Sequence, residues 1–200
     1  MPSPRVAVVR TSPDTVAHDY RRLLDLSSVR DILDKDRDIN IGVDLSWHHH
    51  FPACSTAAWQ LDGVIPGLFD SGYSREKIRV CVNPAASIRA DKGVVLNRLL
   101  QVCEKHDLPL VFLDESSDAA FIEMDPPPRV LRGRDGRTVR VPKSLIGGNL
   151  VLLPTMKTHI GVGVAGALYT AFSLLFGKGG NRFFPVFHDA LADTLAILSC

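Results

Sequence analysis

The strongest indication of the fold is the sequence Ile-Asn-Ile-Gly-Val-Asp-Leu-Ser-Trp-His-His-His at residues 39–50. Its first seven residues are mostly apolar and branched, which is typical of a buried strand, and polar side chains follow directly. Short apolar runs recur at 78–82, 110–113 and 150–153. Helical patterns separate the first three runs, and this alternation predicts a mainly parallel sheet covered by helices. The expected fold is a single three-layer α/β domain that spans residues 1–200.

The N-terminal region adds a strand and a helix to this prediction. Val6 to Val9 is a short branched run that predicts another buried strand. Ser12-Pro13 predicts a helix start, because Ser is a good cap and Pro fits the first helical position. The apolar stripe that follows is interrupted near Ser27-Ser28, where we expect the helix to break.

Residues 119–145 predict a small β excursion from the domain. Within it, the segment 130–141 is expected to form a hairpin turned by Asp135-Gly136. The hairpin has one basic face, which either holds an acidic partner or protects a sheet edge from aggregation. That face carries Arg132, Arg134, Arg137 and Arg140. The elements expected after the excursion are a helix at 165–176, a loop at 177–180 and a short mixed segment at 189–198.

Composition excludes several classes of protein. The 200 residues are 46% hydrophobic and 22% charged, which argues against disorder and coiled coil. The net charge of +1 gives no pull toward nucleic acid. The glycine-rich uncharged stretch 160–177 predicts a buried helix and not a membrane span. No signal peptide precedes the first strand, so we expect a cytoplasmic protein.

The cysteines carry no metal motif. Cys54, Cys81, Cys103 and Cys200 are scattered, and none forms a C-x-x-C pair. A zinc ribbon and an iron–sulfur loop are therefore not expected. The pattern fits a reducing compartment, with Cys81 and Cys103 as small core residues.

The first candidate site is the polar cluster that follows the strand at 39–45. Ligands of open α/β sheets bind beyond the carboxyl ends of strands, so Asp44 and His48, His49 and His50 are well placed to bind a divalent metal or to shuttle protons. Adjacent histidines point in different directions, and at most two of them can reach one ion. The alternative is an exposed loop whose rings stack on one another.

The second candidate site follows the apolar run at 150–153. Lys157 and His159 are two residues apart, so in an extended segment they share one face. An ammonium beside an imidazole suits an anionic substrate or a proton transfer. The alternative is an ordinary surface pair.

Two weaker patterns lie further along the chain. One is a G-x-G-x-x-G string formed by Gly161, Gly163 and Gly166. Such glycines would bring backbone amides to a phosphate at a helix start. The alternative is that they allow a helix to pack closely against the sheet. His188, Asp189 and Asp193 form a third polar cluster that sequence alone does not place. The motifs G-x-S-x-G and H-E-x-x-H do not occur, which argues against serine hydrolases and zinc peptidases.

Four segments carry a family resemblance: residues 44–56, residues 59–65, residues 153–159 and Phe176-Gly177. They resemble the bacterial and archaeal family called domain of unknown function three-six-two, whose most specific feature is the Lys-Thr-His segment followed by a glycine-rich helix. The family has no agreed general activity, and the ferredoxin-type cysteine motifs of some members do not occur here. The Lys-x-His arrangement is more distantly similar to the N-terminal region of lactate racemases, which are nickel-pincer enzymes.

The chain departs from this family in three places. Gly42 and Asp44 stand where many relatives have Lys and Asn, and Ser173-Leu174 stands where many have Lys-Asn. Relatives commonly continue past the point that matches Leu198, so the resemblance implies that C-terminal elements of the domain are missing. In that case a homo-oligomer or a completing subunit would cover the apolar residues near the end, which are Phe183, Phe184, Phe187 and Leu198.

These observations predict an enzyme that acts on a small anionic molecule by proton-transfer, isomerase or redox chemistry. Lys157 would bind the anion near the helix start at Gly161, His159 would act as acid or base, and Asp44 with the three histidines would hold a metal or a second proton-transfer group. The cofactor stays open. The alternative is a non-catalytic member that binds an anion, a cofactor or a partner protein, and the missing family lysines favour it.

Overall fold

The computed structural model describes residues 5–51, 53–83, 87–114, 120–125, 128–129, 131 and 139–199. The strands are β1 (Ile39–Val43), β2 (Ile78–Val82), β3 (Leu110–Phe112), β4 (Phe121–Glu123), β5 (Arg140–Pro142), β6 (Asn149–Leu153), β7 (Lys157–His159) and β8 (Gly163–Ala165). The helices are α1 (Val16–Leu26), α2 (Val29–Ile32), α3 (Ala58–Asp70), α4 (Ala90–Leu96), α5 (Leu99–Lys105), α6 (Ala167–Phe176) and α7 (Phe187–Leu198). Short 3₁₀ segments occupy Arg75–Lys77, Lys143–Leu145 and Gly177–Val186.

Four strands form a parallel sheet in the order β3-β2-β1-β6. The central strand β1 pairs with β2 on one side, where Ile41 lies opposite Val80, and with β6 on the other, where Ile41 lies opposite Val151. From β1 the chain builds outward through β2 to β3, and it then returns to the opposite side of β1 as β6. The predicted mainly parallel sheet is confirmed. Successive strands are added on one side of β1 as far as β3, and β6 is then added on the other side, so the strand order reverses between β1 and β6.

Helices cover both faces of this sheet, which confirms the three-layer α/β architecture. On one face, α1, α3 and α5 pack over a core that includes Ile41 and Val43. On the other face, α6 and α7 enclose a second core rich in phenylalanine, including Phe172 and Phe187. Gly42 faces this second layer, and a Cβ atom there would collide with Leu174 of α6. The close approach of α6 to β1 therefore depends on that glycine.

The helical break predicted near Ser27-Ser28 is confirmed. Helix α1 ends at Leu26 and α2 begins at Val29, with Ser28 between them in the left-handed region at φ 57°. The predicted helix start at Ser12-Pro13 lies in the turn before α1, where Ser12 O accepts the N–H of Val16 at 3.0 Å.

One prediction near the N-terminus is wrong. Val6 to Val9 is not a strand, because it joins no sheet and Val6 and Val8 are 93% and 89% exposed. The short mixed segment at 189–198, to which the sequence analysis assigned no element, belongs to α7, whose buried side includes Phe187, Ala190 and Ile197. The predicted loop at 177–180 begins the 3₁₀ segment Gly177–Val186.

The structure describes only part of the predicted β excursion at residues 119–145. Strands β4 and β5 form a separate antiparallel pair, in which Ile122 lies opposite Val141. The predicted turn at Asp135-Gly136 and the arginines 132, 134 and 137 lie outside the described residues. Arg140 lies on β5, with its guanidinium 5.8 Å from the centre of the Phe121 ring.

Cys81 and Cys103 are buried in the core as predicted, and burial raises the pKa of their thiols to about 12 and about 11. Of the helices that the structure describes, none is both long and apolar enough to cross a membrane.

Candidate functional site at the carboxyl ends of β1 and β6

The candidate site lies where the strand order reverses. In open α/β sheets this point leaves a crevice outside the carboxyl ends of the two strands, and ligands bind there. Asp44 directly follows β1, and Lys157 and His159 lie on β7, a few residues beyond the end of β6. The fold therefore brings together the three residues for which the sequence predicts catalysis.

Hydrogen bonds through Thr56 join the ends of the two strands. The Asp44 backbone N–H donates to Thr56 Oγ1 at 2.8 Å, and Thr56 Oγ1 donates to the carbonyl of Leu153. The Thr56 backbone N–H donates to the Asp44 carbonyl at 2.8 Å. Thr56 is only 1% exposed. A buried hydroxyl that donates and accepts at once fixes Asp44 relative to β6.

Asp44 and Lys157 form a largely buried ion pair. Lys157 Nζ donates to Asp44 Oδ2, and the two side chains are 21% and 11% exposed for Lys157 and Asp44 respectively. Ser46 Oγ donates to the other carboxylate oxygen at 2.7 Å. Lys157 also lies 3.4 Å from the Thr155 carbonyl. An ammonium has three N–H donors, and Asp44 and the Thr155 carbonyl accept two of them, so one donor of Lys157 has no acceptor among the described residues.

His159 is held as a neutral imidazole beside this pair. Its Nδ1 accepts the backbone N–H of Gly161 at 3.1 Å, which places the ring proton on Nε2. Its ring centre lies 4.4 Å from that of Tyr169 and 6.0 Å from that of Phe187. Burial and the nearby Lys157 ammonium lower the pKa of His159, and the Asp44 carboxylate opposes them. We call Asp44, Lys157 and His159 the switch-point site.

Tyr169 is a member of the site that sequence reasoning missed. It lies in the first turn of α6, and its ring packs against that of His159. Burial raises the pKa of the Tyr169 phenol, and the Asp44 carboxylate raises it further. The sequence signal was the one tyrosine in the helix that follows the Lys-Thr-His segment.

The glycine string has a different structure from the one predicted. Lys157 lies opposite Ala165 and His159 lies opposite Gly163 in the antiparallel β7–β8 pair. Gly161 and Gly163 therefore belong to a hairpin, and Gly166 alone lies at the start of α6, which begins at Ala167. Phosphate binding by these glycines stays a prediction. Gly163 has φ 74°, which glycine adopts without strain. Gly166 precedes α6, and no side chain caps the first turn of that helix.

The residues 47–50, here called the histidine loop, contact one another and the end of α4. The ring centres of His48 and His49 lie 4.4 Å apart, and Trp47 lies 4.7 Å from His48. The Trp47 carbonyl accepts Asn97 Nδ2 at 3.2 Å, which ties the loop to the end of α4. His50 is exposed. In the part of the chain that the structure describes, no three His, Cys, Asp or Glu side chains converge to hold a metal. Metal binding by these histidines stays a prediction.

The third polar cluster is divided between the two sides of α7. His188 and Asp189 are exposed, whereas Asp193 is buried and its Oδ2 accepts the backbone N–H of Leu131 at 3.0 Å. Helix α7 contacts the switch-point site through Phe187, whose ring meets that of His159 edge to face.

Comparison of the chain with protein-family models, with curated proteins and with solved structures finds no match. The resemblance to the domain of unknown function three-six-two family and its implications therefore stay predictions.

Proposed function

We propose that the protein is an enzyme that transfers a proton to or from a small anionic substrate at the switch-point site. The observation that carries this proposal is the neutral His159 imidazole beside the Asp44–Lys157 ion pair, in the crevice where α/β folds bind ligands. Racemisation or isomerisation next to a carboxylate is the reaction class that uses such groups.

The groups of the site have complementary roles in this proposal. His159 presents Nε2–H, which can donate a proton or a hydrogen bond to a substrate oxygen as negative charge develops there. Asp44 is the nearby carboxylate that can accept a proton. Tyr169 supports the His159 ring, and its raised pKa keeps the phenol protonated.

Two features favour an anionic substrate. Among the described residues the Lys157 ammonium has acceptors for two of its three N–H donors, so the third can bind a ligand, while Asp44 balances its charge. The first turn of α6 carries Tyr169 and has no side-chain cap, so its backbone N–H groups and the positive end of the helix dipole favour an anion. A substrate carboxylate fits this combination of donors.

Hydrogen–deuterium exchange tests the proposal directly. The protein is incubated in D₂O with a panel of 2-hydroxy and 2-oxo carboxylates, and loss of the carbon-bound proton signal is followed by proton NMR. We expect at least one substrate to exchange, and His159→Gln to slow that exchange by about 100-fold or more, because general acid–base catalysis contributes on this scale. His18→Gln, on the exposed side of α1, is the matched control and should exchange normally. A His159→Gln protein that is folded and fully active would refute the proposal.

A second candidate function is binding without catalysis. It is favoured by apolar side chains that are exposed beside the site, since Met156, Ile160 and Val164 are 80%, 94% and 60% exposed. If this function is correct, panel members bind in NMR titrations but none exchanges, and His159→Gln changes affinity alone.

A further inference from the structure

A cavity of about 740 Å³ lies beside the edge strand β3, near the amino-terminal ends of β1 and β2. Its volume is within the range of small-molecule sites. The 3₁₀ segment and the glycines that precede β6 also contribute to its lining. The cavity is therefore at the opposite end of the sheet from the switch-point site. Its lining includes Arg37, Asp38, Arg79, Val111, Lys143 and Ile146.

The strand β3 leaves apolar surface exposed in this cavity. Parallel strands are ordinarily covered on both faces, yet Leu110, Val111 and Phe112 are all only half-buried. Their neighbours in β2, Val80 and Cys81, are fully buried. The apolar body of a ligand that covered β3 would remove this surface from water, which is favourable.

One cation of the cavity has no counter-charge. Three of the lining residues are cations, namely Arg37, Arg79 and Lys143. Arg37 pairs with Asp34 at 3.3 Å, and Arg79 pairs with Asp38. Lys143 is exposed, and its ammonium has no ion-pair or hydrogen-bond partner among the described residues. The cavity therefore presents one uncompensated positive charge, which attracts an anion.

Arg79 supplies further donors to the same cavity. A guanidinium has five N–H donors, and among the described residues the Asp38 carboxylate is the acceptor that Arg79 meets. The Arg79 side chain is 29% exposed. Its remaining N–H groups lie in a planar fork, which matches the two oxygens of a carboxylate.

We propose that this cavity binds a medium-chain aliphatic carboxylate. The carboxylate group would accept hydrogen bonds from Lys143 and Arg79, and the aliphatic chain would cover Val111 and Phe112 of β3. One uncompensated cation matches a monoanion better than a phosphate dianion. This binding does not depend on the proton transfer proposed for the switch-point site.

Calorimetric titration of the full chain with sodium octanoate and with sodium acetate tests this site. We expect octanoate to bind saturably with one molecule per chain, about 100-fold more tightly than acetate, because its chain buries additional methylene groups. Lys143→Gln should weaken octanoate binding by about tenfold, because a charge-assisted contact is lost. Lys143 is exposed, so the fold should tolerate the change, which circular dichroism checks.

The matched control is Lys92→Gln, which removes the same charge from an exposed position on α4. It should bind octanoate like the unaltered chain. Absence of saturable octanoate binding would overturn the proposal, and so would acetate that binds as tightly as octanoate. An affinity for octanoate that Lys143→Gln leaves unchanged, or that both variants lower equally, would also overturn it, because the carboxylate would then lie elsewhere on the chain.

Discussion

The switch-point site and the histidine loop both contain residues that follow strands at the same edge of the sheet, yet they are organised differently. Lys157 and His159 lie on one strand, and both point toward the side where Asp44 ends β1. In the histidine loop, consecutive rings pack on one another and on Trp47. Residue types that suit chemistry thus become a site only where the backbone gives their side chains a common direction.

The physical reason for this difference is backbone period. Side chains two residues apart in a strand share a face, so a Lys-x-His segment converges whenever it is extended. Three adjacent residues in a loop have no such constraint, and their rings gain more by stacking than by facing one point. Density of histidines in a sequence is therefore weaker support for a site than spacing.

The largest expected difference between the two regions is in stability. Lys157→Met leaves the Asp44 carboxylate, which is 11% exposed, without its counter-charge. We expect the free energy of unfolding to fall by about 2 to 3 kcal/mol, somewhat less than for a fully buried pair. His50→Ala, in the exposed end of the histidine loop, should change it by less than about 0.5 kcal/mol. Urea unfolding followed by circular dichroism measures both. Equal effects would mean that the ion pair is not a structural part of the site.

Much of the fold was accessible from sequence because it depends on local pattern. The strand predicted at 78–82 has the bounds of β2, and the run at 150–153 misses only the first residue of β6. The failures have tertiary causes. Val6 to Val9 has the composition of a strand but no partner in the sheet, and α7 is helical because its mixed sequence still presents one buried side, from Phe187 to Ile197, to the second core.

The site was predictable in part for the same reason. Asp44, Lys157 and His159 could be found because polar residues at or shortly after the end of a buried strand mark the carboxyl edge of a sheet. Thr56 and Tyr169 could not be placed in this way. Thr56 reaches Leu153 across 97 positions of sequence, and Tyr169 meets His159 only because the β7–β8 hairpin folds back before α6 begins. A contact between segments that are far apart in the sequence produces no characteristic residue spacing from which it could be predicted.

A smaller effect is expected on the titration of His159. Burial and the Lys157 ammonium lower the pKa of this imidazole below its usual 6.5 and the Asp44 carboxylate raises it, so variants of Lys157 and Asp44 should act in opposite directions. Lys157→Met should raise the pKa of His159 and Asp44→Asn should lower it. Proton NMR of the imidazole signals against pH measures both, and His49→Gln should leave the His159 titration unchanged. Shifts in the same direction would contradict the proposed arrangement of charges.

The lowered pKa of His159 also sets the sign of a pH effect on stability. The unfolded chain takes up a proton at His159 near pH 6.5, whereas the folded chain does so only at lower pH. The contribution of this residue to stability is therefore present above pH 6.5 and is lost as the pH falls toward the folded pKa. His159→Gln should flatten that part of the pH–stability curve.

The smallest expected effect is that of metal on the histidine loop. Structural zinc sites with four ligands bind with apparent free energies of about 10 to 16 kcal/mol, and two imidazoles supply about half of such a ligand set. We therefore expect Zn²⁺ to bind with a dissociation constant on the order of 10 to 100 µM, and His49→Gln to weaken it further. Native mass spectrometry of protein purified without chelators, followed by Zn²⁺ titration, measures this. A stoichiometric metal that survives purification and disappears in His49→Gln would reverse the comparison, because the loop would then organise its histidines around an ion as the sequence predicts. A metal that is lost in His159→Gln instead would place the ion at the switch-point site, and the proton transfer proposed there would have to include it.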